Sequence, residues 1–190
     1  IVVLAGKNTY TGSTTINGGG LALASTGKLS SSTAVNLASN TSFDISGIDA
    51  SSQTIASLTA ATGSSVVLGA KNLTTGDASS TTVAGVISGD GGTLTKQGSG
   101  SMTLMAVNTY TGATTITDGT LALSGAGSLA DTSDVNITGA TGTFDISAIS
   151  ASSETIGSIA GVAGSKAVLG AKNLKAGGSA DTTMAGVISG

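Results

Sequence analysis

Apolar and polar positions alternate in short runs along this chain, and glycine- or asparagine-bearing turns separate the runs. Met102 and Leu104 lie two residues apart, as do Leu121 and Leu123. This spacing places both members of each pair on one face of a β-strand. A 3.6-residue apolar period, which would indicate helices, is missing from the pattern. The alternation therefore predicts short strands joined by tight turns, and an all-β chain.

The sequence also repeats itself at an offset of about 100 residues. Residues 8–12 match residues 108–112 at an offset of 100, and residues 43–46 match residues 144–147 at an offset of 101. One residue has been inserted in the turn before Phe144, and the rest of the alignment is unbroken. A repeat of this kind indicates an architecture in which equivalent units are stacked.

Apolar anchors recur about every twenty residues through both copies: Leu4, Leu23, Phe43, Val66, Val86, Leu104, Leu123 and Phe144. A β-sandwich would show strands every 8–12 residues without this twenty-residue repeat. The spacing predicts a parallel β-helix (β-solenoid) of about nine or ten coils, and a rod on the order of 45 Å long. We expect residues 1–190 to form a single β-helix segment made of two tandem repeats, 1–89 and 101–190. Residues 90–100 join them, and we expect the whole to be a window of a longer array.

Composition supports a thin, hydroxyl-coated rod and excludes several functions. Hydrophobic residues make up 39% of the chain and charged residues 9%, and there is no Pro, Cys, His or Trp. Proline would interrupt a strand ladder, so its absence suits this fold. The net charge of −3 and the scattered lysines argue against nucleic-acid binding. No apolar run approaches the roughly 18 residues of a membrane-spanning helix, so we expect no direct membrane insertion by this segment.

Residues 94–104, followed by 108–116 and 119–121, closely resemble the autotransporter-associated β-strand repeat. That repeat occurs in the passenger regions of type V secreted bacterial surface proteins. The resemblance is strongest over residues 84–125 and over their counterpart, 1–25. It implies a right-handed parallel β-helix displayed outside the cell, at the bacterial cell surface, often in adhesion or biofilm proteins.

The acidic residues are spread along the predicted rod: Asp44, Asp49, Asp77, Asp90, Asp118, Asp131, Asp134, Asp145, Glu154 and Asp181. Glycoside cleavage usually needs two carboxyl groups about 5–9.5 Å apart. Asp131 and Asp134 are the closest pair, but their counterparts Ser31 and Ala34 are uncharged. With no His or Arg to assist, we interpret most of these acids as turn residues and predict no catalytic residue.

Four other groups of residues have both a functional and a structural interpretation. Residues 88–92, Ser-Gly-Asp-Gly-Gly, partly match a calcium-binding turn, but a plain tight turn is favoured and no metal site is predicted. Tyr10 and Tyr110 are too far apart for one sugar-stacking platform, so a packing role is expected. The Thr pairs at 14–15 and 114–115 recur too rarely for an ice-binding ladder. Seven asparagines are expected to serve left-handed turns and internal amide bonds: Asn8, Asn17, Asn36, Asn72, Asn108, Asn136 and Asn173.

These observations predict a structural repeat module and not an enzyme, with no cofactor. The expected role is an adhesive rod or stalk in the passenger region of an extracellular surface protein. Its partners would be neighbouring repeats of the same or like chains, and a surface receptor or glycan. The alternative is a building segment of an extracellular fibre in which β-helix ends stack on one another. An enzyme on the same scaffold is a third hypothesis.

Overall fold

The computed structural model describes residues 1–178 and 181–190. Within those residues the chain forms short strands and no helix. The strands, in chain order, are β1 Val2–Leu4, β2 Thr14–Ile16, β3 Gly20–Ser25, β4 Ala34–Leu37, β5 Ser42–Ile48, β6 Ser52–Thr54, β7 Ser57–Ala60, β8 Ser65–Val67, β9 Asn72–Thr75, β10 Thr81–Val83, β11 Val86–Gly89, β12 Thr93–Lys96, β13 Ser101–Leu104, β14 Thr109–Tyr110, β15 Thr114–Ile116, β16 Thr120–Gly125, β17 Val135–Ile137, β18 Thr143–Ile149, β19 Ser153–Ile156, β20 Ile159–Gly161, β21 Lys166–Val168, β22 Asn173–Ala176 and β23 Val187–Ser189.

Parallel pairing assembles these strands into three long sheets and one short pair. The first sheet has the order β1-β3-β5-β8-β11-β14, and the second has the order β2-β4-β7-β10-β13-β16-β18-β21-β23. The third sheet has the order β6-β9-β12-β15-β17-β20. Strands β19 and β22 pair with each other. Each follows a second-sheet strand, so this pair occupies the place of the first sheet at that end.

The chain visits the first, third and second sheets in turn and then returns to the first, one layer higher. In the described part of the chain this path makes about nine turns, roughly 21 residues apart. The predicted parallel β-helix is therefore confirmed. Each coil is hydrogen-bonded only to the coils above and below it, so its stability depends on its neighbours.

The alternating residues place a column of apolar side chains inside the tube. In β13, Met102 and Leu104 are buried, whereas the residues beside them are partly exposed. On the first sheet Leu21 lies under Phe43, and Phe43 under Val66. All three are buried, and the same stacking continues through nearly every coil. Because parallel strands lie about 4.8 Å apart, these stacked side chains contact each other directly along the rod.

Glycines form the tight corners that let each coil close. Gly19 and Gly119 have φ angles of 65° and 64°, in the left-handed region that favours glycine. Each precedes a long strand, β3 or β16. Both of these strands shift register against the next coil by a β-bulge. The two copies thus share the same corner and the same bulge.

Equivalent strands of the two copies lie on different sheets. Strands β3, β5 and β8 belong to the first sheet, while their counterparts β16, β18 and β21 belong to the second. Four full turns lead from β1 to β11, and a further two-thirds of a turn leads to β13, the counterpart of β1. A copy therefore spans four and two-thirds coils. The predicted series of twenty-residue steps is wrong at one anchor, because Ile87 and not Val86 is buried and stacks on Val66. It also contains one shorter step, since β11 to β13 is only two-thirds of a coil.

Candidate functional site

The acidic residues of the turns are held by local hydrogen bonds. Asp44 and Asp145 each accept a hydrogen bond at Oδ1 from the backbone N–H two residues on, at 2.8 Å. Asp77 accepts one from Ser79 at 2.7 Å in the same way. This is the Asx-turn geometry, in which a carboxylate stands in for a backbone acceptor. Asp77 lies in the corner between β9 and β10, as predicted, whereas Asp44 and Asp145 lie within β5 and β18 and make the same local contact there.

Asp131 and Asp134 line one shallow hollow on the side of the rod, together with Thr155, Gly157 and residues 174–178. Asp134 Oδ1 accepts a hydrogen bond from the Ser158 hydroxyl at 2.7 Å. That bond links two successive coils. Of the pair, Asp131 is the exposed carboxylate.

The Gly/Asp turn at residues 88–92 is closed by a threonine from the next coil. Thr111 donates its hydroxyl hydrogen to Asp90 at 3.0 Å and accepts a hydrogen bond from Gly91 N–H at 2.8 Å. In residues 1–178 and 181–190, no group of three or more His, Cys, Asp or Glu side chains comes together that could hold a metal ion. The same residues contain no helix long and apolar enough to span a membrane.

Asn108 ties three successive coils together. Its side-chain Nδ2 donates to Ala106 O at 2.9 Å and to Ser128 O at 3.0 Å, and its Oδ1 accepts from Ile87 N–H at 3.0 Å. The side chain is buried, so these bonds replace those it would make to water. Asn8, its counterpart, makes the two equivalent donor bonds, to Gly6 O and Lys28 O. The predicted internal amide bonds are present at both positions.

The other asparagines serve strands more than turns, which differs from the sequence prediction. Asn36 lies in β4 and accepts a hydrogen bond from Thr59 on the next coil at 2.6 Å. Asn72, the first residue of β9, accepts one from Thr95 at 3.2 Å. Among described residues other than glycine, positive φ angles occur at Ser25 and Asn40, neither of which was predicted. Cross-strand side-chain pairing explains the strand positions, since polar residues on stacked coils lie opposite one another.

The two tyrosines have equivalent contacts and very different exposure. Tyr110 is fully buried, and its hydroxyl lies 2.7 Å from Thr114 Oγ1. Tyr10 makes the same contact with Thr14 but is 42% exposed. Burial raises the pKa of the Tyr110 phenol, so the ring stays neutral. The expected packing role is present in the second copy, where the preceding coil covers the ring.

Lys96 is buried at a corner, a position that sequence reasoning did not single out. Its ammonium donates to three backbone carbonyls: Gln97 O at 2.9 Å, Gly98 O at 2.7 Å and Asp118 O at 3.2 Å. Burial lowers the pKa of this lysine, and the nearby Asp118 and Asp77 oppose the shift. The alternation of inward and outward residues would have predicted this burial, since Lys96 follows Leu94 by two residues and therefore points inward.

Glu154, which the sequence analysis grouped with the acids of the turns, is the second buried charged residue and lies in β19. It is 4% exposed, and its Oε1 accepts a hydrogen bond from Leu129 N–H at 2.7 Å. Its counterpart in the first copy is Gln53, which is also buried. Burial raises the pKa of Glu154 to about 7, with the Leu129 N–H opposing the shift and Asp131 adding to it. The signal was again alternation, because Glu154 and the core residue Ile156 lie two apart in β19.

The asparagine and tyrosine contacts recur at equivalent places in both copies, and the segments that contain them match a known family. The model of the passenger-associated-transport-repeat matches residues 1–23 and residues 94–123. The chain carries two passenger-associated-transport-repeat segments. The matches confirm the resemblance drawn from the sequence. No curated protein and no solved structure matches the chain significantly.

The passenger-associated-transport-repeat segments coincide with well-defined structural units. The second segment covers β12 to β16 and includes Lys96, Asn108 and Tyr110. The first segment covers β1 to β3 and includes the equivalent Asn8 and Tyr10. The matched repeat is of the kind found in the passenger regions of autotransporters. The family implies a secreted surface protein.

Proposed function

We propose that this module is a non-catalytic rod in the extracellular passenger of an autotransporter, and that its side carries adhesive contacts to a surface receptor or glycan. The observation that supports this proposal is the continuous stack of about nine parallel coils, which contains both passenger-associated-transport-repeat segments. A stack of this size is about 40 Å long, at roughly 4.8 Å per coil. Because every coil is laddered to the next, such a rod is suited to holding a binding surface away from a cell.

The contacts of the acidic side chains support a structural role over a catalytic one. Asp44, Asp77, Asp134 and Asp145 are engaged in turn or cross-coil hydrogen bonds. A glycosidase needs one carboxyl group as a general acid and a second as a base or nucleophile. We expect no cleavage when the chain is incubated with a panel of polysaccharides. Cleavage that disappears in Asp131→Ala would overturn the non-catalytic part of the proposal.

Adhesion is tested by retention of coated beads on bacterial and host-cell layers. Beads that carry the folded chain should be retained under flow, and beads that carry Leu123→Asp, which disrupts the core, should not. Equal retention of both beads would mean that binding does not depend on the β-helix. No retention of either bead would remove the adhesive role while leaving the rod intact.

A second candidate function is a fibre segment, and one observation favours it. Inside the chain, β11 covers β14 and buries Tyr110. Strand β23 is the counterpart of β11, and residues 9–10 are the counterpart of β14. A coil from another chain that was stacked on β1 would therefore bury Tyr10 as Tyr110 is buried.

Electron microscopy separates the two candidates. Discrete rods about 40 Å long are expected for the adhesive stalk, and long uniform filaments are expected for the fibre. If filaments form, Val187→Lys at the exposed edge should shorten them, because it places a charge in the stacking surface. Lys28→Met, on the exposed side of the rod, is the matched control and should leave filament length unchanged.

A further inference from the structure

The strand ladder has a gap at the same place in both copies. Ser128 pairs with Val107 in an isolated bridge above the end of the first sheet, and β19, on the next coil, lies outside that sheet. In the first copy, Lys28 pairs with Lys7 in the same way, and β6 begins the third sheet on the next coil. Side chains bridge both gaps, from Gln53 in β6 and from Glu154 in β19.

Gln53 bridges its gap as a backbone unit would. Its Oε1 accepts a hydrogen bond from Leu29 N–H at 3.2 Å, and its Nε2 donates to Leu29 O at 3.1 Å. Nε2 also donates to Thr54 O at 2.6 Å. The amide thus satisfies both the donor and the acceptor of one buried residue, since Leu29 is itself fully buried. An amide is suited to this task because it carries one donor group and one acceptor group.

Glu154 bridges the equivalent gap of the second copy with a carboxyl group. Its Oε1 accepts the hydrogen of Leu129 N–H, as Gln53 does with Leu29. An ionised carboxylate has no hydrogen to donate to Leu129 O, whereas a protonated carboxylic acid has one. The protonated form reproduces the donor and acceptor pattern of the amide. The ionised form brings two lone-pair-bearing oxygens towards a site where the first copy places a donor.

We propose that Glu154 is a proton-dependent latch between successive coils, closed when its carboxyl group is protonated and pairs with both the N–H and the C=O of Leu129. Deprotonation removes the donor and weakens the junction between residues 128–131 and β19. The corresponding junction of the first copy is held by Gln53 and stays closed at every pH. The two copies therefore differ at otherwise equivalent junctions, where the first has the amide of Gln53 and the second has the carboxyl group of Glu154.

The charges around the carboxyl group favour its protonated form. Asp131 lines the groove beside it and repels a second negative charge. Tyr110, two coils below Glu154, is neutral, because burial raises its pKa. Lys175, on the paired strand β22, is exposed to solvent. Burial and Asp131 together raise the pKa of Glu154 from its ordinary 4.5 to about 7.

The sign of the pH dependence follows from this shift. A group whose folded-state pKa is raised contributes stability that is fully present below its unfolded pKa, here about 4.5. That contribution is lost as the pH rises towards the folded value of about 7, and it levels off above it. The latch is therefore expected to loosen between these two values.

Amide hydrogen exchange of Leu129 tests the latch, with Leu29 of the same molecule as the internal reference. The ratio of the two protection factors cancels most of the intrinsic pH dependence of exchange. Between pH 4.5 and 7 the ratio of Leu129 to Leu29 should fall by up to roughly tenfold per pH unit, and it should level off at higher pH. A ratio that stays flat over this range would overturn the proposal.

A reciprocal swap between the copies provides the matched variants. Glu154→Gln should make the ratio independent of pH, and Gln53→Glu should transfer a similar decline to Leu29. A decline that persists in Glu154→Gln would overturn the proposal. A titration of the wild-type carboxyl carbon by NMR needs no variant: a midpoint near 7 supports the latch, and a midpoint near 4.5 contradicts it.

Discussion

The substitution Leu123→Asp probes the assignment of inside and outside on which the rod depends. Leu123 lies in β16, directly above Leu104 on the second sheet, and it is fully buried. Thr115 lies in β15, where its neighbours Thr114 and Ile116 point inward and it is partly exposed. The two positions are eight residues apart in sequence and belong to consecutive strands. The two aspartate variants therefore differ mainly in whether the new side chain points into the tube or towards solvent.

The magnitudes can be worked out from burial. Removing a buried leucine side chain costs about 1.5–3 kcal/mol in transfer free energy alone. An aspartate among apolar neighbours must stay protonated or draw in water, which adds several kcal/mol. The total exceeds about 4 kcal/mol, which is exceptional for a single substitution. At Thr115 the cross-coil partners are Thr95 and Asn136, so the new charge stays hydrated and the cost is below about 1 kcal/mol.

Urea unfolding followed by circular dichroism measures the difference. The midpoint should fall far more for Leu123→Asp than for Thr115→Asp. Midpoints are compared instead of extrapolated free energies, because stacked repeats do not always unfold in a single step. Leu123→Ala, which creates a cavity without adding a charge, is expected to cost about 2–5 kcal/mol and provides a folded intermediate case. Equal shifts for the two aspartate variants would refute the side-chain assignment.

Three further predictions concern the corners and the polar bridges. Gly127→Ala should lower the free energy of unfolding by more than about 2 kcal/mol, because the new Cβ would overlap a carbonyl of the coil below. Gly6→Ala, with open space around it, should leave thermal unfolding unchanged. Asn108→Ala should lower the free energy of unfolding by about 2–4 kcal/mol, because it leaves the buried Ile87 N–H unpaired. Asn8→Ala should lower it by only about 1 kcal/mol, and urea unfolding midpoints would show the difference. Lys96→Met should lower the melting temperature by several degrees, because three corner carbonyls lose their donor; an unchanged melting temperature would contradict this role.

The strands and the core were predictable because period-two alternation is a direct consequence of strand geometry. Met102 and Leu104 could be assigned to the interior from sequence alone, and the structure places them there. The same rule would have placed Lys96 and Glu154 inside. Both were passed over because charged residues are almost never fully buried unless they are paired. Lys96 is paired with two carbonyls of its own corner and one of the next coil, and Glu154 with an N–H group of the preceding coil, and the sequence does not identify these partners.

The asparagines illustrate a different difficulty. A single asparagine fits a left-handed turn and a cross-coil amide ladder equally well, so residue type alone does not decide between them. Asn36 belongs to a ladder because Thr59 lies opposite it on the next coil. Asn72 bonds diagonally to Thr95, two residues beyond its direct partner Thr93. Deciding this required the register between coils. Register depends on corner lengths, and these vary along the chain from coil to coil.

Corner lengths also explain why the two copies lie on different faces. A repeat of about 100 residues, divided by coils of roughly 21, does not give a whole number. In the structure each copy spans four full coils and a further two-thirds of a coil. A residue of the second copy therefore lies on a different sheet from its counterpart in the first copy. Leu21 and Leu121, for example, belong to the first and second sheets respectively. Any exposed patch that is common to both copies therefore faces two directions, separated by about a third of the circumference.

This rotation constrains the adhesive contacts that we propose. A flat surface can contact only one face of the rod at a time, so equivalent patches of the two copies cannot both engage it. Avidity requires that several sites bind simultaneously, and it is lost when geometry forbids this. The rod is thus better arranged to contact partners on several sides than to bind one surface through repeated identical sites. A lateral contact with a single flat surface would instead depend on residues that differ between the copies, such as Lys28 and Asp131.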